Sequence, residues 1–399
     1  MLADAPLEFV LFAATLLGVA IFHRRTFTMA VAGLAAIVAY KLFVAGFEDG
    51  PGISGLVLHL AHHWTDLANL GLLLLGFALL SRHFEESKLP DLAPDILPDD
   101  WTGGLVLLAL IFVMSAFLDN IAAALIGATV AAHVYKRRVH IGFLAAIVAA
   151  SNAGGSGSVV GDTTTTMMWI AGKSPLDVMH AYVGAIAAFA VFAIPAARAQ
   201  QHYSKILKHD VGGIVVDWTR VGIVLLLLIS VVGANVAANL FAPELLHDLP
   251  LIALALWAAL LVAWPLRAPD WKIMPETTKG AVFLLSLVFA ASLMPVDQLP
   301  APSWESAFSL GFISAVFDNI PLTALALQQG NYDWGVLAYA VGFGGSMMWF
   351  GSSAGVAVSN MFPEARSALT WLRAAWFVPA AYVVGFFVML GVMGWHPQS

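Results

Sequence analysis

The segment Ser115-Ala116-Phe117-Leu118-Asp119-Asn120-Ile121 recurs as Ser314-Ala315-Val316-Phe317-Asp318-Asn319-Ile320. Each copy sets a carboxylate beside a carboxamide within an apolar run. Downstream of the first, Ser151-Asn152-Ala153-Gly154-Gly155-Ser156 leads to Gly161-Asp162 and then to Thr163, Thr164, Thr165 and Thr166. Downstream of the second, Gly344-Gly345-Ser346 leads in the same register to Gly351-Ser352-Ser353, so Asp162 aligns with Ser352 and Thr163 with Ser353. Carboxylate, amide and hydroxyl groups are hard oxygen ligands for a cation. The glycine pairs permit a helix to break, and a break frees backbone groups that bind ions. Nucleophilic chemistry fits poorly. Gly351-Ser352-Ser353-Ala354-Gly355 matches G-x-S-x-G, but that reaction needs a base beside the serine. His396 lies in the tail, and His133 and His180 lie near segment ends. The repeat explains the match, and we read no enzyme. With no cysteine in the chain, disulfides and thiolate metal sites are excluded.

The elements that must carry these residues are membrane helices. Of 399 residues, 60% are apolar and 11% charged, against about 25% charged in a soluble domain. That composition excludes a soluble enzyme and a disordered chain. With 18 Lys+Arg against 25 Asp+Glu, a basic nucleic-acid footprint is absent as well. The apolar runs are long and continuous, which excludes an outer-membrane barrel. The start of the chain lacks a basic segment and a small-residue cleavage site, so 6–22 is expected to be a retained span. Further spans are expected at 27–46, 66–82, 177–198, 220–241, 248–266, 280–296 and 370–394.

The motif-bearing stretches behave differently. Residues 102–135 and 303–329 read as re-entrant hairpins, and 141–172 and 333–363 as broken helices. As helices, 303–317 would rise only about 23 Å and 321–329 about 14 Å, short of a core of about 30 Å. The fold class is then an all-α polytopic membrane protein with two five-span halves. Residues 1–198 form the first repeat, with scaffold spans over 6–82 and a span at 177–198. A cytoplasmic linker covers 199–219, and 220–399 form the second repeat. Five spans is an odd number, so the second copy is inverted, with its site at the repeat interface. With the N-terminus outside, sixteen of the eighteen Lys and Arg fall inside, Arg24, Arg25, Lys136, Arg137, Arg138 and Lys208 among them. Lys173 alone falls outside, and Lys41 lies within a span. This is a positive-inside pattern with both termini outside.

Only Asp119, Asp162 and Asp318 fall deep within the apolar segments, where an ionisable residue reads as functional. Glu8, Asp66, Asp177, Asp248, Glu305 and Asp333 sit at segment ends within reach of headgroup water. Capping of the following helix is a second role for the three deep carboxylates. Asn152 and Ser156 lie in the first break and read as ligands. One or two of the four threonines face the break, and the rest bond back to the preceding turn. Asn235 and Asn239 share a helix face and suit interhelix bonding. Lys41 is expected to snorkel. His59, His62 and His63 are expected on the outer surface before the third span.

Together these four motifs resemble the ion transporter superfamily, and most closely its NhaD-type sodium/proton antiporters. The resemblance covers roughly 100–175 and 305–360. It implies a scaffold region and a moving transport region, sodium or lithium exchanged for protons by alternating access, and no cofactor. It implies a homodimer in the bacterial cytoplasmic (inner) membrane, whose partners are a monovalent cation, protons and the lipid bilayer. The family's functional positions fall on Asp119, Asn120, Asn152, Asp162, Thr164, Thr165, Asn319, Ser346, Ser352 and Ser353. The repeat adds Asp318, and the break adds Ser156. Sodium would be held by Asp119, Asn120, Asp162 and Thr164. The family usually has threonines after the first Asp-Asn, whereas this chain has Ala122-Ala123-Ala124, which removes hydroxyl ligands. The alternative is an anion carrier of the same fold, a sodium/dicarboxylate symporter or an arsenite carrier. Three deep carboxylates with no Lys or Arg beside the motifs would repel an anion.

The charge pattern makes a topology prediction. Cysteines at Ser174 and Gln298 should label from outside, and those at Gln201 and Thr277 only from inside. Outside labelling at Gln201 would overturn the odd span count.

Overall fold

The computed structural model describes residues 6–22, 25–48, 50–89, 92, 97–206, 215–241, 245 and 248–398, with backbone alone at 20, 236, 239 and 240. Arg24, Lys208, residues 207–214 of the expected linker and the side chain of Asn239 lie outside the described residues. Among the described residues the ordered elements are helices, with two isolated bridges at Phe47–Gly50 and Tyr332–Gln398. Among the described residues, five are long and apolar enough to cross a membrane: Thr26–Ala45, Gly52–Glu86, Pro175–Tyr203, Trp218–Asn235 and Trp271–Ser292. The chain is an all-helical polytopic membrane protein. It gathers into two compact units, and each draws on both halves of the sequence.

The first unit comprises 1–80, 223–301 and 320–329. Helices α1 (Leu7–Ile21) and α2 (Thr26–Tyr40) pack closely. Gly33 of α2 lies against Thr15 with no room for a Cβ, the small-residue contact that lets membrane helices approach. After α2 comes one π-helical turn, Lys41–Ala45. Four expectations are corrected in this unit. Lys41 does not snorkel: it is buried, and its Nζ lies 4.0 Å from a carboxylate oxygen of Glu8. Glu8 is buried with it rather than held in headgroup water, because the pair satisfies both charges away from solvent. The third span does not begin at 66: α3 runs over Gly52–Glu86. The histidines are therefore helical, and His59 is buried, with Nε2 3.0 Å from the Ser292 hydroxyl and its ring 4.6 Å from that of His63.

The second unit comprises 81–222, 302–319 and 330–399. Its first helices are α4 (Trp101–Ser115), α5 (Asn120–Val134), α6 (Ile141–Gly155), α7 (Thr163–Ile170), the single turn α8 (Pro175–Met179) and α9 (Ala181–Tyr203). Helix α10 (Trp218–Phe241) begins here and continues into the first unit, which also holds α11 (Leu251–Ala263) and α12 (Met274–Ser292). Helix α13 (Trp304–Ser314) belongs to the second unit, and all but the first residue of α14 (Asn319–Gln329) to the first. Next come α15 (Trp334–Gly344), α16 (Ser353–Met361), α17 (Ala368–Ala374) and α18 (Phe377–Met393). Helix α15 is buried along its whole length, and α6 from Gly142 onward. A helix apolar on every side belongs at the centre of its bundle, and these two carry the breaks.

Four sequence expectations are revised by lengths and neighbours. The run at 370–394 is not one straight span: α17 and α18 meet at a 63° bend. The helices within 6–22 and 248–266 have 15 and 13 residues, a rise of only about 20 Å. Asp333 is buried rather than wet. It caps α15 by accepting from the Val336 N–H at 3.0 Å, and it accepts from the His396 N–H at 2.9 Å. At the end of α3, His83 Nδ1 accepts from Arg220 Nη1 at 2.9 Å, and Arg220 Nη2 lies 2.7 Å from Glu86. An arginine can only donate, so the His83 ring is neutral there, and this contact joins chain segments 137 residues apart.

The buried pair sets a test. Lys41→Met alone should lower stability by about 3 kcal/mol, because it strands the Glu8 charge. The Glu8→Gln/Lys41→Met double variant should recover most of that in a thermal melt of the detergent-solubilised protein. Equal loss in both would mean that the pair does not neutralise itself.

Candidate functional site

Helix α6 stops at Gly155, and α7 starts after Asp162. Helix α15 stops at Gly344, passes through one 3-10 turn (Gly345–Met347), and α16 starts after Ser352. Asp162 and Ser352 are equivalent N-caps, with φ, ψ of −143°, 140° and −143°, 155°. Asp162 Oδ1 accepts from the Thr164 N–H at 3.2 Å, and Ser352 Oγ from the Gly355 N–H at 3.2 Å. The two sequence motifs therefore fold alike, and further contacts recur. Ser115 Oγ donates to the Ser151 carbonyl at 2.6 Å, and Ser314 Oγ to the Val341 carbonyl at 2.7 Å.

The glycines serve close approach more than an unusual backbone conformation. Gly154 lies against the carbonyl of Phe112, and Gly344 against that of Gly311. A Cβ at Gly155 or at Gly345 would sit 2.7 Å from the carbonyl oxygen of Gly161 or Gly351. The unwound carbonyls find partners. Tyr182 OH donates to Gly154 O at 3.1 Å, and Ser158 Oγ to Ala116 O at 2.6 Å. Thr165 Oγ1 reaches Ser158 O and Asp162 O at 2.5 and 2.8 Å, and Thr166 Oγ1 reaches Val159 O and Asp162 O, both at 2.9 Å. Ser156 donates to Ala153 O at 2.8 Å within its own turn.

A side-chain web links the two breaks. Asn120 Nδ2 donates to Asn152 Oδ1 at 3.2 Å. Asn152 Nδ2 donates to Ser346 Oγ at 3.0 Å and to Ser352 Oγ at 3.1 Å. Asn319 Nδ2 lies 3.5 Å from Asp162 Oδ2, and Ser353 Oγ donates to Asp318 Oδ2 at 3.1 Å. Asp119 caps α5, accepting from the Ile121 N–H at 3.1 Å. All the expected site residues lie in the second unit. Asn120, Asn152, Asp162, Asn319, Ser346 and Ser352 are buried, and Asp119 and Asp318 are half-buried. The roles expected of Thr164 and Thr165 divide. Thr165 satisfies carbonyls, whereas the buried Thr164 hydroxyl faces the Asp162 carboxylate with no partner in hydrogen-bonding geometry.

The electrostatics are one-sided. The Asp162 carboxylate is 2% exposed and feels the charges of Asp119 and Asp318. Among the described residues, neither Asp119 nor Asp162 has a lysine or arginine at salt-bridge distance. Such a cluster calls for a proton or a small cation to balance it. Sequence reading missed Gly342, where a Cβ would stand 3.4 Å from Asp162 Oδ2 and 3.2 Å from Ser156 Cβ. It also missed the roles of Ser115 and Ser314, although the duplication of both serines was there to be read.

The glycine contacts predict that Gly345→Ala destabilises the protein by about 1–3 kcal/mol, because the added methyl must displace backbone. Gly233→Ala, facing open space in α10, should stay within about 0.5 kcal/mol of wild type. Equal melting of the two variants would show that the second break does not need its glycine.

No family model matches the chain. Over 412 aligned positions it is 26% identical to Sodium/proton antiporter 1 of Arabidopsis thaliana, covering 91% of this chain and 69% of that protein. Over 390 positions it is 23% identical to Sodium/proton antiporter 2 of the same plant, covering 86% of this chain and 90% of that protein.

Proposed function

We propose that this protein exchanges sodium or lithium for protons by alternating access, as an antiporter of the NhaD type with two inverted halves and a homodimeric assembly. The observation that carries the reading is the buried Asp162 carboxylate, beside the charges of Asp119 and Asp318 and, among the described residues, without a salt-bridging cation. A buried charge of this kind must be neutralised. A proton and a sodium ion can each do so, and not both at once. Competition for the same oxygens is then enough to couple the two fluxes. The names of the two plant relatives point the same way.

In this mechanism Asp119 and Asp162 hold either sodium or protons. Asn120 and Thr164 add oxygen ligands, the Thr164 hydroxyl facing the Asp162 carboxylate. Asn152 ties the first break to Ser346 and Ser352 of the second. An anion substrate would meet Asp119 and Asp162, neither with a lysine or arginine at salt-bridge distance among the described residues, which disfavours the dicarboxylate and arsenite alternatives.

The test is proton release when sodium binds to the purified protein, measured across pH. Asp119→Asn and Asp162→Asn should each abolish sodium-driven release, because the exchangeable proton is gone. Ser352→Ala should keep the release and weaken apparent sodium affinity by about three- to tenfold, the loss of one neutral hydrogen bond or ligand. In wild type, apparent sodium affinity should weaken as pH falls, since protons occupy the same oxygens. Wild-type release from Asp162→Asn would sink the assignment.

A further inference from the structure

Helix α16 is held at both ends. Its N-terminal end meets the site through Ser352, bonded to Asn152, and Ser353, bonded to Asp318. Its C-terminal end is held by two guanidinium groups. Arg366 Nε donates to the Ser359 carbonyl at 3.1 Å, and its Nη2 to Asn360 Oδ1 at 2.5 Å. Arg137 Nη2 donates to the Met361 carbonyl at 3.2 Å, and its guanidinium lies 5.8 Å from the centre of the buried Phe362 ring. Arg137 comes from the other half of the sequence, in the turn after α5. That turn has an unusual backbone: Lys136 and Arg137 both have left-handed φ, 48° and 59°, with no glycine. A glycine would sit there more easily, so the side chain at 137 offsets a backbone cost.

The other short half-helix has a counterpart. Helix α7 carries Asp162 at its N-terminus, and beyond its C-terminus the Lys173 N–H donates to Met168 O at 2.9 Å. Lys173 Nζ lies 4.6 Å from the centre of the Trp334 ring, and Trp334 is the buried first residue of α15 in the other half. Each half-helix thus ends on a cation–aromatic contact with the opposite half, with the cation and ring exchanged between the copies. Helices of eight and nine residues are too short to hold a shape alone, so their ends set their pose. A cation at a helix C-terminus also complements the helix dipole.

We propose that Arg137 and Lys173 are a matched pair of positioning residues, each fixing the pose of one short half-helix from its far end and, through it, the cation site at its near end. The link to sodium rests on the antiport reading; the link to helix pose does not. Arg137 acts through Ser352 and Ser353, and Lys173 through Asp162 and Thr164.

The experiment uses the full-length purified protein in phosphatidylcholine vesicles without anionic lipid, with two readouts. Hydrogen exchange follows the amides of 353–361 and 163–170, and a pH-sensitive dye follows sodium-driven proton movement. Arg137→Gly removes the clamp while relieving the left-handed backbone, so its melting temperature should equal or exceed that of wild type. Its 353–361 amides should exchange faster while 163–170 do not, and half-saturating sodium should rise about three- to tenfold with maximal rate largely kept. Lys173→Gln should show the reverse exchange pattern with a similar rise. Arg137→Lys, which keeps the cation, should recover most of the Arg137→Gly effect. Unchanged exchange at 353–361 in Arg137→Gly overturns the proposal, as does a rise spread over the whole chain with a lower melting temperature. A wild-type protein that moves no cation against protons would remove the antiport reading alone, because hydrogen exchange still decides the helix pose.

Discussion

A helix that unwinds among apolar side chains leaves carbonyl and N–H groups that bulk water cannot reach, and each unsatisfied group costs several kcal/mol in such surroundings. Much of the second unit follows from that requirement. Asp162 and Ser352 each take an N–H group in the first turn of α7 and α16. Thr165, Thr166 and Tyr182 take carbonyls around the first break. Ser115 and Ser314 donate to carbonyls of α6 and α15 before the breaks. The glycines at 154 and 344 let backbone lie on backbone without an intervening side chain. Most of the polar residues in the motifs therefore serve the break, and the groups left over are the informative ones. Thr164 is one of them.

The web also works crosswise. Asn152, in the first half, reaches Ser352, the cap of the second break. Asn319, in the second half, approaches Asp162, the cap of the first. Any shift of one break is felt at the cap of the other. A site built this way is stiff at its centre, and its position is governed by the helices leading away from it. The arginine and lysine contacts at the far ends of α16 and α7 complete that arrangement.

The ends of α6 and α15, the three carboxylates and the asparagines stand out in the sequence, because charge and glycine are rare in apolar runs and the pairing of copies fixes their register. Sequence reading failed where a residue's neighbours decide its role. Lys41 reads as a snorkelling cation until Glu8 is seen beside it, 33 residues earlier in the chain. His59 reads as a surface residue because the polar run around it hides a helix that begins at Gly52. Asp333 reads as wet until the tail residue His396 covers it. Hydropathy windows register composition, not partners, so a buried ion pair or a covered cap leaves no local trace. The bend at the junction of α17 and α18 is invisible for the same reason, since the two arms together still read as one apolar window.

The two breaks differ where their chemistry must differ. Where the first has Asp162, Thr164 and Thr165, the second has Ser352, Ala354 and Gly355. In place of the Thr165 hydroxyl, Gly355 brings its backbone against the Trp349 carbonyl, leaving no room for a side chain. The second break is thus closed by packing and the first by hydroxyl groups. A carboxylate at 352 would add a fourth acid to a cluster in which Asp162 already feels two others, and a single small cation could not balance it. The neutral cap at Ser352 accepts from Asn152 and so ties the two halves together. The asymmetry between otherwise matching copies therefore leaves two of the three deep carboxylates, Asp119 and Asp162, in the first half and one, Asp318, in the second.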